Sequence, residues 1–163
     1  MKIKTNSVEL ISRSPEQTQR LGKHLGEMAQ AGDLFLLAGT LGSGKTCLAQ
    51  GIACGLGVQE YAVSPTFVLV REYHGRLPMY HIDLYRLDHI EEIVDLALEE
   101  YLYGNGICVI EWAEKGMDVL PGEHLLVKLS NNSASERLLV LEPHGEHYRR
   151  MLTSLKEELK TWN

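Results

Sequence analysis

Leu34-Phe35-Leu36-Leu37-Ala38-Gly39-Thr40-Leu41-Gly42-Ser43-Gly44-Lys45-Thr46 is an apolar run that opens into a complete G-x-x-x-x-G-K-[ST] loop. The run reads as a buried strand over 34–38, and Lys45 to Leu56 reads as the helix that follows, stopped by Gly55 and Gly57. A strand that hands a glycine-rich turn to a helix N-terminus aims several backbone N–H groups at one point and adds the positive end of the helix dipole. That arrangement holds phosphate. Gly39, Gly42 and Gly44 let the backbone of the loop, with Thr40, Leu41 and Ser43, wrap closely around β-phosphate oxygens. Lys45 then reaches the β- and γ-phosphates, and the Thr46 hydroxyl sits on Mg²⁺. The alternative is a glycine-rich βα turn with no ligand; a strand before the loop and a helix after it favour the phosphate reading.

Outward from the loop, Ser14-Pro15-Glu16-Gln17 supplies a capping serine, a proline at the first helical position and a glutamine at the capping-box position. Thr18, Leu21, Leu25 and Met28 recur at helical spacing behind it, which predicts a first amphipathic helix ended by Gly32-Asp33. After the phosphate-facing helix, Thr66 to Tyr73 and Met79 to Tyr85 are two β-prone runs joined by His74-Gly75-Arg76-Leu77-Pro78. Alternation puts His81, Asp83 and Tyr85 on one face of the second run and Tyr80, Ile82 and Leu84 on the other. Glu91 to Tyr103 has helical spacing and feeds Ile107 to Ile110, which reads as a second buried parallel strand. His124 to Leu129 and Arg137 to Leu141 read as an antiparallel pair, and Glu146 to Lys160 as a terminal helix with Tyr148, Leu152, Leu155 and Leu159 on one stripe.

Phosphoryl chemistry also needs a carboxylate near the metal. Glu111 ends the apolar run 107–110, and in open α/β sheets the C-terminal ends of strands line the ligand crevice. Thr46 and Glu111 are therefore the candidate Mg²⁺ pair; an exposed glutamate ending a strand is the alternative. Asp83 sits inside an apolar and aromatic strand, where a carboxylate must meet solvent or a cation. It is a candidate for orienting the attacking water or a metal-bound water, against an exposed residue on an edge strand. His81 reads as shaping Asp83, and Trp112 as covering core or touching a mobile loop. Lys45, Asp83 and Glu111 are thus the catalytic candidates.

The bulk properties restrict the function further. The 163 residues carry 16 Lys and Arg against 22 Asp and Glu, a formal charge of −6. No basic excess is present to neutralise phosphates along a nucleic acid, so any RNA connection is expected to run through a partner. The three cysteines never form C-x-x-C, which fits a reducing compartment and excludes a zinc ribbon or a disulfide framework. The opening residues hold no signal-peptide core, and no apolar stretch reaches the roughly 18 residues of a spanning helix, so a cytoplasmic protein is expected.

Four strings in this order resemble the TsaE family, the small P-loop ATPases of bacterial tRNA threonylcarbamoyladenosine biosynthesis. They are Gly39 to Thr46, Ser64-Pro65-Thr66-Phe67, Tyr80-His81-Ile82-Asp83-Leu84-Tyr85-Arg86-Leu87 and Val109-Ile110-Glu111-Trp112. The resemblance covers nearly the whole chain. It implies a P-loop NTPase fold; with the elements above, the expectation is one α/β domain over residues 1–163. Its sheet is expected to be mixed and mostly parallel, flanked by helices, with an antiparallel C-terminal strand pair. It further implies hydrolysis of ATP with Mg²⁺ at Thr46 and Glu111, and action on TsaD and TsaB proteins, with tRNA touched only through that complex. It also implies a functionally needed Asp83, a switch-like 64–67 segment in which Thr66 meets nucleotide, and adenine contacts near Pro15 and Thr18. The chain departs from the family pattern at Thr40, Cys47 and Ala113, where an acidic residue, a second hydroxyl and a proline are frequent.

Two other functions fit a phosphate loop. A small-molecule kinase would carry an arginine-rich lid, yet from Ala113 to Ser135 the cations other than histidines are Lys115 and Lys128. A non-catalytic nucleotide-gated module would give Asp83 and Glu111 no chemistry. For an ATPase, Arg71 and Arg86 are the candidates for a charge-neutralising arginine in cis, with a partner's arginine as the alternative.

Overall fold

A computed structural model describes residues 1–4, 6–65 and 69–162. Its described strands form one mixed eight-stranded sheet, ordered β1-β2-β8-β7-β3-β6-β5-β4. The strands are β1 (Lys2–Lys4), β2 (Ser7–Ser12), β3 (Leu34–Gly39), β4 (Val70–His74), β5 (Pro78–Asp83), β6 (Ile107–Glu111), β7 (His124–Asn131) and β8 (Arg137–His144). Strands β7, β3, β6 and β5 run parallel at the centre. The four remaining pairings, β1 with β2, β2 with β8, β7 with β8 and β4 with β5, are antiparallel. The expectation of a mostly parallel sheet is therefore corrected to a parallel centre with antiparallel flanks. The antiparallel C-terminal pair stands as read.

The central strands are apolar on both faces because both faces are covered. On β3, Phe35 and Leu37 point into one core with Val109 of β6, while Leu34 and Leu36 point into a second core with Ile110. The first core is roofed by α1 (Pro15–Met28), α2 (Lys45–Gly55) and α5 (Glu146–Glu158), which contribute Leu21, Leu25, Leu48, Ile52, Leu152 and Leu155. Each such fully buried leucine or isoleucine removes apolar surface worth about 1.5–3 kcal/mol. The other face is covered by α3 (Ile90–Asp95), α4 (Glu99–Leu102) and the 113–120 segment, through Ile93, Leu98, Ala113 and Leu120.

Local chemistry sets the element ends. Ser14 caps α1 by accepting from the Gln17 amide at 3.1 Å, and the Gln17 side chain accepts from the Arg13 amide at 2.8 Å. The other end of α1 is capped from a distance: Arg76, in the β4–β5 turn, donates to the carbonyls of Gly26 and Ala29 at 2.9 and 3.0 Å. Between α1 and α2 four glycines face backbone. A Cβ on Gly22, Gly26, Gly51 or Gly55 would collide with a carbonyl oxygen of the facing helix, at Leu48, Ile52, Gln19 and Lys23 respectively.

Two expectations change. The helix expected over 91–103 is two short helices, because the chain turns at Ala97, which takes a left-handed φ of 51°. β2 has no counterpart among the expected elements, although its alternation of half-buried and buried residues ends in the buried Val8, Leu10 and Ser12. The strand expected to begin at Thr66 is described from Val70 onward.

Candidate functional site

The face of the sheet under α2 carries the site. Alternation along β5 and β6 places His81, Asp83 and Glu111 on that face. Asp83 and Glu111 are direct cross-strand partners, and Glu111 also stands opposite Leu37 of β3, just before the glycine loop. All three polar side chains are buried, at 0–2% exposure, so each must be satisfied by a partner.

The partners converge on the start of α2. Thr46 donates to the Glu111 carboxylate, with its Oγ1 at 2.9 Å from Oε1 and 3.1 Å from Oε2. Residues 65 positions apart in the chain thus meet directly. His81 Nε2 lies 2.5 Å from Glu111 Oε2, so the ring donates there and its Nε2 carries the proton. Asp83 accepts from the Ser64 hydroxyl at 3.1 Å and from the Tyr85 amide at 2.8 Å. The sequence reading had His81 shaping Asp83; the structure places it on Glu111, one strand over.

The loop itself is shaped by its glycines. Gly44 precedes α2 in the left-handed region at φ 103°, and a Cβ on Gly39 would strike the Leu129 carbonyl of β7. The first-turn amides of α2, at Lys45, Thr46 and Cys47, have no carbonyl partners within the helix, by the geometry of any helix start. Lys45 folds back over the loop, donating to the Gly39 and Thr40 carbonyls at 2.5 and 2.9 Å, with Ser43 Oγ at 3.4 Å. Burial pushes the Lys45 ammonium below the ordinary lysine range, against the pull of Glu114, Glu111 and Asp83. Its Nζ also lies 4.1 Å from the centre of the Trp112 ring, a cation–π contact.

Two residues near the loop, Glu114 and Lys115, carry no site role in the sequence reading. Glu114 accepts from the Gly39 amide at 2.9 Å. Lys115 donates to the Tyr85 and Leu87 carbonyls, and so ties the segment after β5 to the segment after β6. Tyr85 stacks at a tilt on Trp112, ring centres 5.0 Å apart. Trp112, left open between core and loop, forms a wall beside Lys45 and takes a left-handed φ of 58°. The signal available for these was their position immediately after strands that end at the site.

Of the other expected contacts, Pro15 is brought near: its carbonyl lies 3.3 Å from the Cys47 sulfur, next in chain to Thr46. The Thr18 side chain faces inward, 2% exposed, with its hydroxyl 2.7 Å from Ser12 Oγ. Thr66 lies outside the described residues. Arg71 is exposed on β4, opposite His81 in register, and Arg86 is exposed beyond β5.

Loop, carboxylates and aromatics enclose a cavity of about 330 Å³, lined by Lys45, Thr46, Ser64, Asp83, Glu111 and Trp112 among others. A larger hollow of about 450 Å³ lies between α1, α2 and residues 58–62. There the polar groups bond one another: Gln50 accepts from Gln19 and from the Tyr61 hydroxyl, and donates to the Ala62 carbonyl. Only the smaller cavity combines helix-start amides and an ammonium on one side with a hydroxyl and carboxylates on the other. Such a set suits a polyanion accompanied by a small hard cation.

An α/β protein whose glycine-rich strand-to-helix loop faces buried carboxylates is the class that fold and site define. The chain matches the family model described as "Threonylcarbamoyl adenosine biosynthesis protein TsaE" over residues 12–139, and it belongs to that family, whose work is the threonylcarbamoyladenosine modification of tRNA. It is 44% identical over 119 residues to the protein of that name from Treponema pallidum (strain Nichols), covering 73% of this chain and 88% of the relative. It is 38% identical over 143 residues to the one from Bacillus subtilis (strain 168), covering 87% and 89%. The crystal structure of Bacillus subtilis YdiB superposes with a TM-score of 0.83 at 30% identity, covering 96% of this chain and 99% of that one.

Proposed function

We propose that this chain is a P-loop ATPase that binds MgATP in the β3–α2 cradle and hydrolyses it in support of a TsaB–TsaD complex that modifies tRNA. The single observation carrying this reading is the Thr46–Glu111 contact across the mouth of the glycine loop. Magnesium binds oxygens octahedrally at about 2.0–2.1 Å, which sets neighbouring ligand oxygens about 2.9 Å apart. Thr46 Oγ1 and Glu111 Oε1 are hard oxygen donors that meet at hydrogen-bond distance, 2.9 Å, so both can reach one ion and the donor type suits it. Among the described residues no cluster of three or more His, Cys, Asp or Glu is arranged to hold a metal alone. Magnesium takes one or two protein oxygens and completes its shell with phosphates and water.

In this reading Mg²⁺ offsets charge on the phosphates. The loop amides and Lys45 hold the phosphate oxygens, Thr46 and Glu111 hold the ion, and Asp83, kept in place by Ser64 and the Tyr85 amide, orients the attacking water. Pro15 lies on the adenine side of the cradle. In this reading a partner supplies the transition-state cation, and the chain alone turns over slowly. The −6 charge fits a component that meets protein and leaves tRNA to the complex, in the cytoplasm. Among the described residues no helix is long and apolar enough to cross a membrane.

The test is ATP hydrolysis by the purified chain with and without TsaB–TsaD, alongside Glu111→Ala. Slow turnover alone, stimulation by the complex and loss in Glu111→Ala are expected. Equal, fast rates with and without the complex would reject the partner-completed site.

A further inference from the structure

We propose that His81 is a positioning residue that makes the cation site select Mg²⁺ over Ca²⁺, by claiming one of the two oxygens of Glu111. The proposal rests on the MgATP reading above. Glu111 Oε2 accepts from His81 Nε2 at 2.5 Å, a short charge-assisted bond between side chains that are 0% and 3% exposed. Thr46 Oγ1 reaches both oxygens, at 2.9 Å from Oε1 and 3.1 Å from Oε2, so Oε1 is the nearer oxygen and the one His81 does not hold. A hydrogen bond this short occupies one lone pair of Oε2 and leaves Oε1 the better cation ligand. Magnesium accepts a single oxygen within a tight octahedron, whereas calcium takes six to eight oxygens at longer distances and commonly both oxygens of one carboxylate.

The ring is retained at a cost. Its other nitrogen, Nδ1, is buried with no hydrogen-bond partner among the described residues. A histidine kept only for packing would gain from replacement by an apolar side chain of similar volume, because the orphaned nitrogen is an uncompensated loss. The residue therefore makes its contribution through Nε2. Its place on β5, diagonal to Glu111 on β6, keeps it under α2 and within reach of Glu111 Oε2.

The experiment measures binding of a non-hydrolysable ATP analogue by calorimetry, with Mg²⁺, with Ca²⁺ and with neither. The proteins are the unaltered chain, His81→Leu, His81→Asn and His81→Gln. Leucine removes the donor, asparagine falls short of Glu111, and glutamine carries an N–H at about the reach of Nε2. Two removal variants are used so that the result stands if one fails to fold; metal-free analogue binding checks the cradle in each. In the removal variants Mg²⁺-dependent tightening should fall about 10- to 100-fold while the Ca²⁺ value holds within about threefold or improves, and His81→Gln should restore the preference for Mg²⁺. Parallel loss with both ions, or no change with either, overturns the positioning role and leaves the MgATP reading intact. If the unaltered chain binds the analogue identically with and without Mg²⁺, the MgATP reading itself falls, and this proposal with it.

Discussion

The two ends of the central strands bury polar groups in opposite ways. At the C-terminal end, Thr46, Asp83 and Glu111 are satisfied by one another's neighbours yet still line an open cavity. At the N-terminal end, Asp33 accepts from the Gln30 amide at 2.9 Å and pairs with His147 Nε2 at 2.7 Å. Beside them the Tyr148 hydroxyl accepts from the Leu34 amide, and His124 Nδ1 meets the Pro121 carbonyl. The lower groups tie loops and α5 to strand ends, so a bond there closes the structure. The upper groups face the glycine-rich loop at the start of α2. Burial and perturbed titration mark both ends; only convergence on a cavity beside a helix start distinguishes the site from the staple.

The comparison breaks most readily at Lys45. Lys45→Ala should cut partner-stimulated ATP turnover about 10²- to 10³-fold, as loss of a phosphate-facing donor does. Its melting temperature should hold or rise, because a desolvated ammonium disappears. A fall in stability without a fall in turnover would assign Lys45 to the scaffold.

Asp33→Ala should do the reverse. Burial raises the Asp33 pKa despite the Gln30 amide and His147, so the pair is held against a desolvation cost. Asp33→Ala leaves no buried charge behind, since the His147 side chain is 40% exposed, so the loss is that of the hydrogen bonds to the Gln30 amide and His147, about 1–3 kcal/mol. Urea denaturation should show that loss with unchanged nucleotide affinity. A weakened affinity would mean that the lower end communicates with the cradle.

The smallest effect belongs to His124. Burial, with His144 stacked 4.6 Å away, pushes its pKa below 6.5, outweighing the Pro121 carbonyl. The unfolded chain then binds the extra proton first as pH falls. The stability His124 confers is complete above pH 6.5 and declines as pH drops from there toward the folded value, by at most about 1.4 kcal/mol per pH unit. His124→Phe should flatten the melting-temperature profile between about pH 7.5 and 5.5, and an unchanged profile would clear His124 of that role.

The cradle was readable because its residues are contiguous and each obeys a local rule: an apolar run, glycines, a lysine, a hydroxyl. Glu111 was readable because a carboxylate ending an apolar run has few places to go. His81 was placed on the correct face, since alternation is local, but assigned to the wrong carboxylate. Choosing between Asp83 and Glu111 depends on which strand lies beside β5, and a single sequence does not state that order. The same limit hid Glu114, whose partner, the Gly39 amide, lies 75 positions away. The broken helix at Ala97 and the strand β2 were errors of another kind: helical spacing continued across the break, and a short alternating run was passed over.

The glycine faces of α1 and α2 have a mechanical consequence. Two helices separated by side chains can slide while rotamers absorb the displacement; these two touch backbone to backbone and have no such cushion. They must move as a single rigid bar. The start of α1 at Pro15 is thereby tied to Cys47, next in chain to Thr46, through backbone rather than through side chains alone.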